Sequence, residues 1–195
     1  MRTDWNPPVA PSRVPPTRFT DPSPAADRLR LGYRTLRATD PVTGLGNAHC
    51  WSQRAALIQC DAHWRHEPVA LLVVDIDRFG AINNEYGHPA GDALLRCVAD
   101  VLRRATRPAD LLCRHCADEF RVLAPGRDAE AALDLGIRIR DHVRLLVTEA
   151  TAGADVTVSV GVAVTTDLAT DDLLTRARGA LRHVKDHGHD LIRLA

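Results

Sequence analysis

The sequence predicts an α/β (α+β) fold, in which helices flank a central β-sheet. Three observations support this. Residues 71–74 form a continuous apolar run, which is typical of a strand buried on both faces. Residues 156–164 alternate as a strand does, and residues 90–104 show the apolar stripe of an amphipathic helix. The predicted order is helix, β-α-β-β-α-β, helix and a short last strand.

Local signals place the remaining elements. Asn47 follows a loop rich in turn formers and is a suitable N-cap for a helix that continues to about residue 63. A tight turn between two apolar runs predicts a β-hairpin. The expected hairpin strands are 111–115 and 120–123, the expected helices are 128–146 (Leu133, Ile137, Val143 and Leu146 inward) and 170–187, and the expected last strand is 191–194.

The composition indicates one globular domain. Of the 195 residues 45% are apolar, and 25 Lys+Arg balance 25 Asp+Glu. A net charge of zero argues against bulk binding to nucleic acid or to an anionic membrane. Because no apolar run is long enough for a membrane span or a secretory signal, we expect a cytoplasmic protein without nucleic-acid or membrane partners.

The chain divides into three segments. Residues 1–25 are rich in proline, which predicts a disordered tail. Residues 26–38 have helical spacing and predict a short leading helix, weakened by Gly32. Residues 39–195 are the expected folded domain.

The cysteines raise the question of a metal or redox site. Cys113 and Cys116 form a CxxC motif, but the count of five is odd and no second CxxC is present. A coincidental pairing of a strand cysteine with a turn cysteine is the simpler interpretation.

Two acidic segments are the main candidates for chemistry. Asp75 and Asp77 end the buried strand at residues 71–74, and Asp118 and Glu119 lie in the predicted hairpin turn. Carboxylates at strand ends can hold Mg²⁺ against a phosphate group. The alternative is that Asp75 and Asp77 merely cap the following helix.

The motifs in and around these segments resemble those of the GGDEF family, the diguanylate cyclases that join two GTP molecules into cyclic di-GMP. The resemblance extends over residues 40–192. It is carried by the strings DPVTGLGN (40–47), DIDRFGAINNEYGHPAGDALL (75–95), CADEF (116–120), TVSVGVA (157–163) and KDHGHD (185–190). The resemblance implies a GGDEF or nucleotidyl-cyclase palm-like fold with a mostly antiparallel five-stranded sheet.

The resemblance also implies residue roles. Asp75, the Ile76 carbonyl and Asp118 would bind Mg²⁺, and Glu119 would lie beside the ribose hydroxyl as a possible proton acceptor. The guanine edge would be read by Asn83 and Asp92, whose amide and carboxylate match its acceptors and donors. Lys185 would contact phosphate.

Four positions depart from the family pattern. Cys116 and Ala117 replace two glycines, and an alanine in a left-handed conformation costs roughly 1–2 kcal/mol. Gly80 and His189 replace a lysine and an arginine that meet phosphate in the family. Each lost charge-assisted contact is worth roughly 1.5–3 kcal/mol, so turnover is expected to fall by about three to five orders of magnitude. The neighbouring Arg78, Arg182 and His187 could compensate in part.

The segment Arg107-Pro108-Ala109-Asp110 matches the RxxD product-inhibition site of the family in its register before CADEF. Arginine suits bidentate phosphate binding and stacking on guanine, and a carboxylate can accept from the guanine N–H groups. The resemblance therefore implies a cyclic di-GMP site at Arg107 and Asp110. A surface ion pair is the simple alternative.

Taken together, these observations predict a degenerate GGDEF domain that binds cyclic di-GMP and possibly GTP with Mg²⁺, and that is catalytically weak or inactive. One alternative is an active diguanylate cyclase that works as a homodimer, because one half-site can align only one GTP. The other alternative is a structural interaction module with a protein partner and no ligand.

Overall fold

The computed structural model describes residues 38–150, 156–167 and 170–195. Five strands form one sheet, and the described helices lie on its two faces. In chain order the elements are α1 (Ala48–Trp64), β1 (Val69–Ile76), α2 (Phe79–Tyr86), α3 (His88–Ala105), β2 (Leu111–Cys116), β3 (Glu119–Pro125), α4 (Ala129–Ala150), β4 (Val158–Thr165), α5 (Thr170–Asp186) and β5 (Ile192–Leu194).

The sheet has the order β2-β3-β1-β4-β5. All neighbours are antiparallel except β4 and β5, which are parallel. The predicted α+β class with a mostly antiparallel five-stranded sheet is thus confirmed. The most apolar strand, β1, occupies the centre, and all eight of its residues are buried. Its carboxyl end therefore lies between β3 and β4. Asp75 and Asp77 are located at this end, with a neighbouring strand on each side.

Two hydrophobic cores lie on the two faces of the sheet. Alternate β1 residues, such as Leu72 and Val74, pack with α3 and α4, while Leu71 and Val73 pack with α1 and α5. On the second face α5 approaches β4 so closely that a Cβ on Gly161 would collide with the α5 backbone. This close packing fixes α5 over the end of the sheet that carries the acidic residues.

The N-cap prediction for α1 is confirmed, since the Asn47 side chain accepts from the amides of His49 and Cys50, each at 3.0 Å. Between β1 and β2 the single predicted helix is instead a pair, α2 and α3. Gly87 has a φ of +84° and Pro89 lies in the first turn of α3, so the chain turns sharply between the two helices.

The predicted inward face of α4 is partly wrong. Val143 is buried and Leu133 half-buried, but Ile137 is 42% exposed. The buried positions are Ala132, Leu135, Ile139 and Val143. Apolar residues occur around more than one side of this helix, so the spacing alone did not identify the packed side.

The predicted tail at residues 1–25 and nearly all of the predicted leading helix at residues 26–38 lie outside the described residues, as does the Leu146 side chain. Among the described helices, none is both long and apolar enough to cross a membrane.

Candidate functional site

The predicted metal ligands meet at one end of the sheet. Asp75 and Glu119 are directly paired across β1 and β3. The amide of Ile76 donates to the Asp118 carbonyl at 3.4 Å, so the signature turn adjoins the end of β1. We call Asp75, Asp118, Glu119 and Lys185 the strand-end cluster.

Lys185 connects α5 to this cluster. Its Nζ lies 2.6 Å from Asp75 Oδ1, and the Asp75 side chain is only 11% exposed. Burial raises the pKa of Asp75 to about 6, and the nearby Asp118 and Asp77 carboxylates act in the same direction. Lys185 lowers this pKa but only offsets part of the rise. The charged form of the Asp75 carboxylate is therefore disfavoured by its burial, and Lys185 offsets this only in part.

Asp77 has a different role from Asp75. Its carboxylate accepts hydrogen bonds from Ser159 Oγ and Thr157 Oγ1, each at 2.7 Å, and from the Asp190 amide at 3.1 Å. These bonds join β1, β4 and the loop after α5. The alternative that the acids cap the following helix is wrong. The N-cap residue of α2 is Arg78, and no side chain forms a capping hydrogen bond at this end of the helix.

The donor set fits magnesium in its usual manner of binding. Within residues 38–150, 156–167 and 170–195, no three His, Cys, Asp or Glu side chains converge to hold a metal ion by themselves. Mg²⁺ commonly takes only one or two carboxylates and completes its shell with waters and substrate phosphates. Two neighbouring acids, Asp75 and Asp118, are consistent with such a site.

The predicted guanine-reading residues are brought together by α2 and α3. Asn83 and Asp92 are both half-buried. Gly91 makes their proximity possible, because a Cβ at this position would collide with Asn83 Oδ1 and would lie 3.2 Å from the Phe79 ring. The amide of Asn83 therefore lies against the turn of α3 that carries Asp92.

The signature turn adopts a strained conformation at one of its two substituted positions. Ala117 has a φ of +35°, whereas Cys116 lies outside the left-handed region, and both side chains are exposed. Arg114 holds the turn: its Nε donates to the Ala117 carbonyl at 2.9 Å, and its Nη1 pairs with Asp40 at 3.1 Å. The loop before α1 is thereby connected to the turn.

Asp40 is itself well held in that loop. The Thr43 amide and hydroxyl donate to Asp40 Oδ1 at 2.8 and 2.7 Å. Burial alone would raise the pKa of Asp40, but the bonds from Thr43 and Arg114 outweigh it and leave the pKa below its usual value.

Two arginines that the sequence analysis missed bind Glu119. Arg121 Nε lies 2.8 Å from Glu119 Oε1, and Arg178 Nη2 of α5 lies 3.0 Å from both carboxylate oxygens. Arg121 is 2% exposed and stacks over Trp51 at 5.4 Å. The signal for Arg121 was available, since it interrupts the apolar run of β3. Nothing local in the sequence pointed to Arg178.

This chain lacks both cations of the family pattern, at positions 80 and 189. No atom lies within 4 Å of a Cβ built on Gly80. His189 and Asp190 have φ values of +65° and +52° in the loop that Asp77 holds. His189 lines a cavity of about 460 Å³ together with Arg78 and Tyr86. Positions 80 and 189 therefore offer no fixed positive charge.

The Arg107–Asp110 segment is internally bonded. Asp110 has no exposed side-chain surface and pairs with Arg127 at 3.2 Å and with the Arg107 amide at 2.9 Å. Arg107 is half exposed, and its guanidinium donates to the Pro125 carbonyl at 3.1 Å. The predicted contact of Asp110 with a guanine edge would require this carboxylate to be uncovered.

The CxxC motif does not form a metal-binding pair. Cys113 is buried beside Cys50, while Cys116 is exposed in the turn. Burial first, and then Cys50, raise the pKa of Cys113 to about 12. A Cβ on Gly46 would lie within 3 Å of both buried sulfurs, which explains the glycine there.

Comparisons with known proteins agree with this geometry. The family model described as "Diguanylate cyclase, GGDEF domain" matches residues 37–190. The chain is 31% identical over 82% of its length to "Probable diguanylate cyclase DgcT" of Escherichia coli (strain K12), and 34% identical over 83% to "Diguanylate cyclase DgcP" of Pseudomonas aeruginosa. The matched region is only 37% and 24% of those two proteins.

A solved structure shows the same fold. The diguanylate cyclase SiaD of Pseudomonas aeruginosa, in complex with its activator SiaC, aligns with a TM-score of 0.77 and 29% identity, over 88% of this chain and 66% of that one. With the five-stranded sheet, the strand-end acids and the matched region in agreement, the chain belongs to the GGDEF family of diguanylate cyclase domains.

Proposed function

We propose that this domain binds guanine nucleotide with Mg²⁺ at the strand-end cluster and has little or no cyclase activity. The observation that carries the proposal is the pairing of the buried Asp75 with Lys185 beside Asp118. A divalent cation would stabilise the charged form of the buried Asp75, and the lysine would then be free to contact a phosphate.

Asp75, Asp118 and the Ile76 carbonyl would hold the Mg²⁺. When bound, this ion supplies charge neutralisation for the phosphates and lowers the pKa of a nearby hydroxyl. The chain itself would bind the base, with Asn83 and Asp92 reading guanine.

Low turnover is proposed on three grounds. The signature turn is strained at Ala117, and Gly80 and His189 give no permanent charge at the phosphates. Glu119 is already bonded to two arginines, so its carboxylate oxygens are occupied and would have to be released to contact a ribose hydroxyl. These three features would affect the chemical step more than the binding of the nucleotide in its ground state. Binding can therefore persist where turnover is lost.

Cyclic di-GMP is the second proposed ligand, through Arg107. Its half-exposed guanidinium can bind a phosphate or stack on a guanine face. Asp110 accepts a hydrogen bond from the main-chain amide of Arg107 and would thereby orient this residue. The test is calorimetry with cyclic di-GMP. We expect Arg107→Ala to weaken binding about tenfold or more, by roughly 1.5–3 kcal/mol, and Arg107→Lys to restore it poorly. Unchanged affinity in Arg107→Ala would leave this segment as a structural corner.

An active homodimeric cyclase is the alternative, and one observation favours it: the side chains at positions 116 and 117 are exposed, so they collide with nothing in the folded chain. Incubation with GTP and Mg²⁺ followed by nucleotide analysis decides between the two. Robust formation of cyclic di-GMP that is lost in Asp118→Ala would establish the cyclase.

The nucleotide proposal is tested by thermal unfolding with GTP and with ATP. We expect GTP to raise the Tm more than ATP and Mg²⁺ to increase the effect, since ligand at 100 times its Kd adds about 2.7 kcal/mol. Asn83→Ala should reduce the preference for GTP, and Asp75→Ala should remove the Mg²⁺ effect. If neither GTP nor cyclic di-GMP binds, the interaction-module alternative is preferred.

A further inference from the structure

Helix α5 directs two cations at the strand-end cluster. Lys185 forms an ion pair with Asp75. Arg178, which is two turns earlier on the same side of the helix, forms an ion pair with Glu119. Asp75 and Glu119 are cross-strand partners, so their Cβ atoms are about 4.5–5.5 Å apart. The two cationic groups therefore converge on neighbouring points of the sheet edge.

Arg178 is the second of two arginines that pair with Glu119. The buried Arg121 needs a counter-ion, because an unpaired charge in the core is costly, and Glu119 is its ion-pair partner. Arg178 shares that single carboxylate, so two arginines face one acid.

Arg178 also keeps free donors. Only its Nη2 bonds to Glu119, and its Nε and Nη1 make no hydrogen bond within the described part of the chain. The side chain is 43% exposed. A half-exposed guanidinium with unused donors, beside a site that lacks cations at positions 80 and 189, is suited to bind a phosphate.

We propose that Arg178 is a phosphate-binding residue of the nucleotide site and supplies charge that Gly80 and His189 do not. This inference rests on the proposed binding of GTP at the strand-end cluster. It assigns the triphosphate, rather than the base or the ribose, to the α5 side of the cluster. Arg178 would stay bonded to Glu119 through one nitrogen and reach the phosphate with the others.

The test is a calorimetric titration of the full chain with Mg²⁺-GTP and with GMP. Arg178→Gln keeps an amide donor for Glu119 but removes the charge. We expect it to weaken GTP about tenfold or more and to leave GMP within about twofold, because charge-assisted bonds to the outer phosphates are lost. Arg178→Lys should restore part of the GTP affinity.

The matched control is Arg176→Gln. Arg176 lies on the same helix with a similar exposure of 37% and pairs with Asp172, away from the cluster. This variant should leave both affinities unchanged.

Two outcomes would overturn the inference. An unchanged GTP affinity in Arg178→Gln would exclude a phosphate contact, and an equal loss for GTP and GMP would indicate only a structural role. Failure of the unmodified protein to bind either nucleotide would instead refute the proposed function, and the inference with it. Urea unfolding of each variant shows whether the fold is intact, and Arg178→Lys serves as the reporter if Arg178→Gln does not fold.

Discussion

The two regions that resemble family ligand sites differ in how their buried carboxylates are paired. At the strand-end cluster, Asp75 is buried with a raised pKa and the turn beside it is strained at Ala117. At the Arg107–Asp110 corner, the carboxylate is buried among its own partners and the arginine bonds to a main-chain carbonyl. A perturbed pKa and backbone strain are common where a ligand completes a site. The difference therefore favours the cluster as a ligand site and makes the corner first of all a structural element.

The largest expected effect comes from removing the buried carboxylate of the corner. Asp110→Ala leaves Arg127, whose side chain is only 10% exposed, without its ion-pair partner. Breaking a buried pair typically costs about 3–5 kcal/mol, so we expect the free energy of unfolding in urea to fall by about that amount. Arg107→Ala is the control, and it should cost less than about 1 kcal/mol because its side chain is half exposed.

Similar small losses in both variants would contradict the idea that the corner is held by its own charges. The corner would then be as open to ligands as the strand-end cluster.

The second prediction concerns the pH dependence of stability at the cluster. The pKa of Asp75 is about 6 in the folded chain against a usual 3.8, so the folded state binds this proton more tightly than the unfolded state. The free energy of unfolding should thus fall as the pH rises from about 4 to 6, by up to about 3 kcal/mol. Asp75→Asn should abolish this fall and be the more stable protein at pH 8.

Asp77→Asn provides the contrast. Its carboxylate accepts three hydrogen bonds, so an amide at this position should lower stability at pH 8. Urea unfolding at several pH values measures both variants. An unchanged pH slope in Asp75→Asn would show that the charge of Asp75 is already compensated.

Most of the fold followed from sequence, because β1 and β4 are long apolar strands and α3 has one clear apolar face. The splitting of α2 from α3 depended on the φ of a single glycine, Gly87, which local spacing does not reveal. The packed side of α4 was also not predicted fully, since Ile137 is as apolar as the residues that are buried.

At the site, the motifs predicted roles for the acids, for Lys185 and for the Asn83–Asp92 pair. They could not show which carboxylates are already paired. The bond between Arg178 and Glu119 joins residues far apart in the chain, and it exists only because α5 packs across β4 and β1, next to β3. The pairing of the carboxylates is thus a property of the folded chain, and it separates Asp75, near the end of β1, from Asp77, which follows the strand.

The smallest expected effect tests the strain in the signature turn. Ala117 has a φ of +35°, where an L-residue with a Cβ is disfavoured, so Ala117→Gly should stabilise the chain by about 1 kcal/mol. For a domain of this size that corresponds to a rise in Tm of about 2–4 °C. Cys116→Gly is the matched control at the neighbouring position. Because Cys116 lies outside the left-handed region, a glycine there gains nothing and should lower the Tm slightly through the flexibility of the unfolded chain. A rise in both variants, or in neither, would mean that the strain is not located at Ala117, and the contrast between the cluster and the corner would then depend on Asp75 alone.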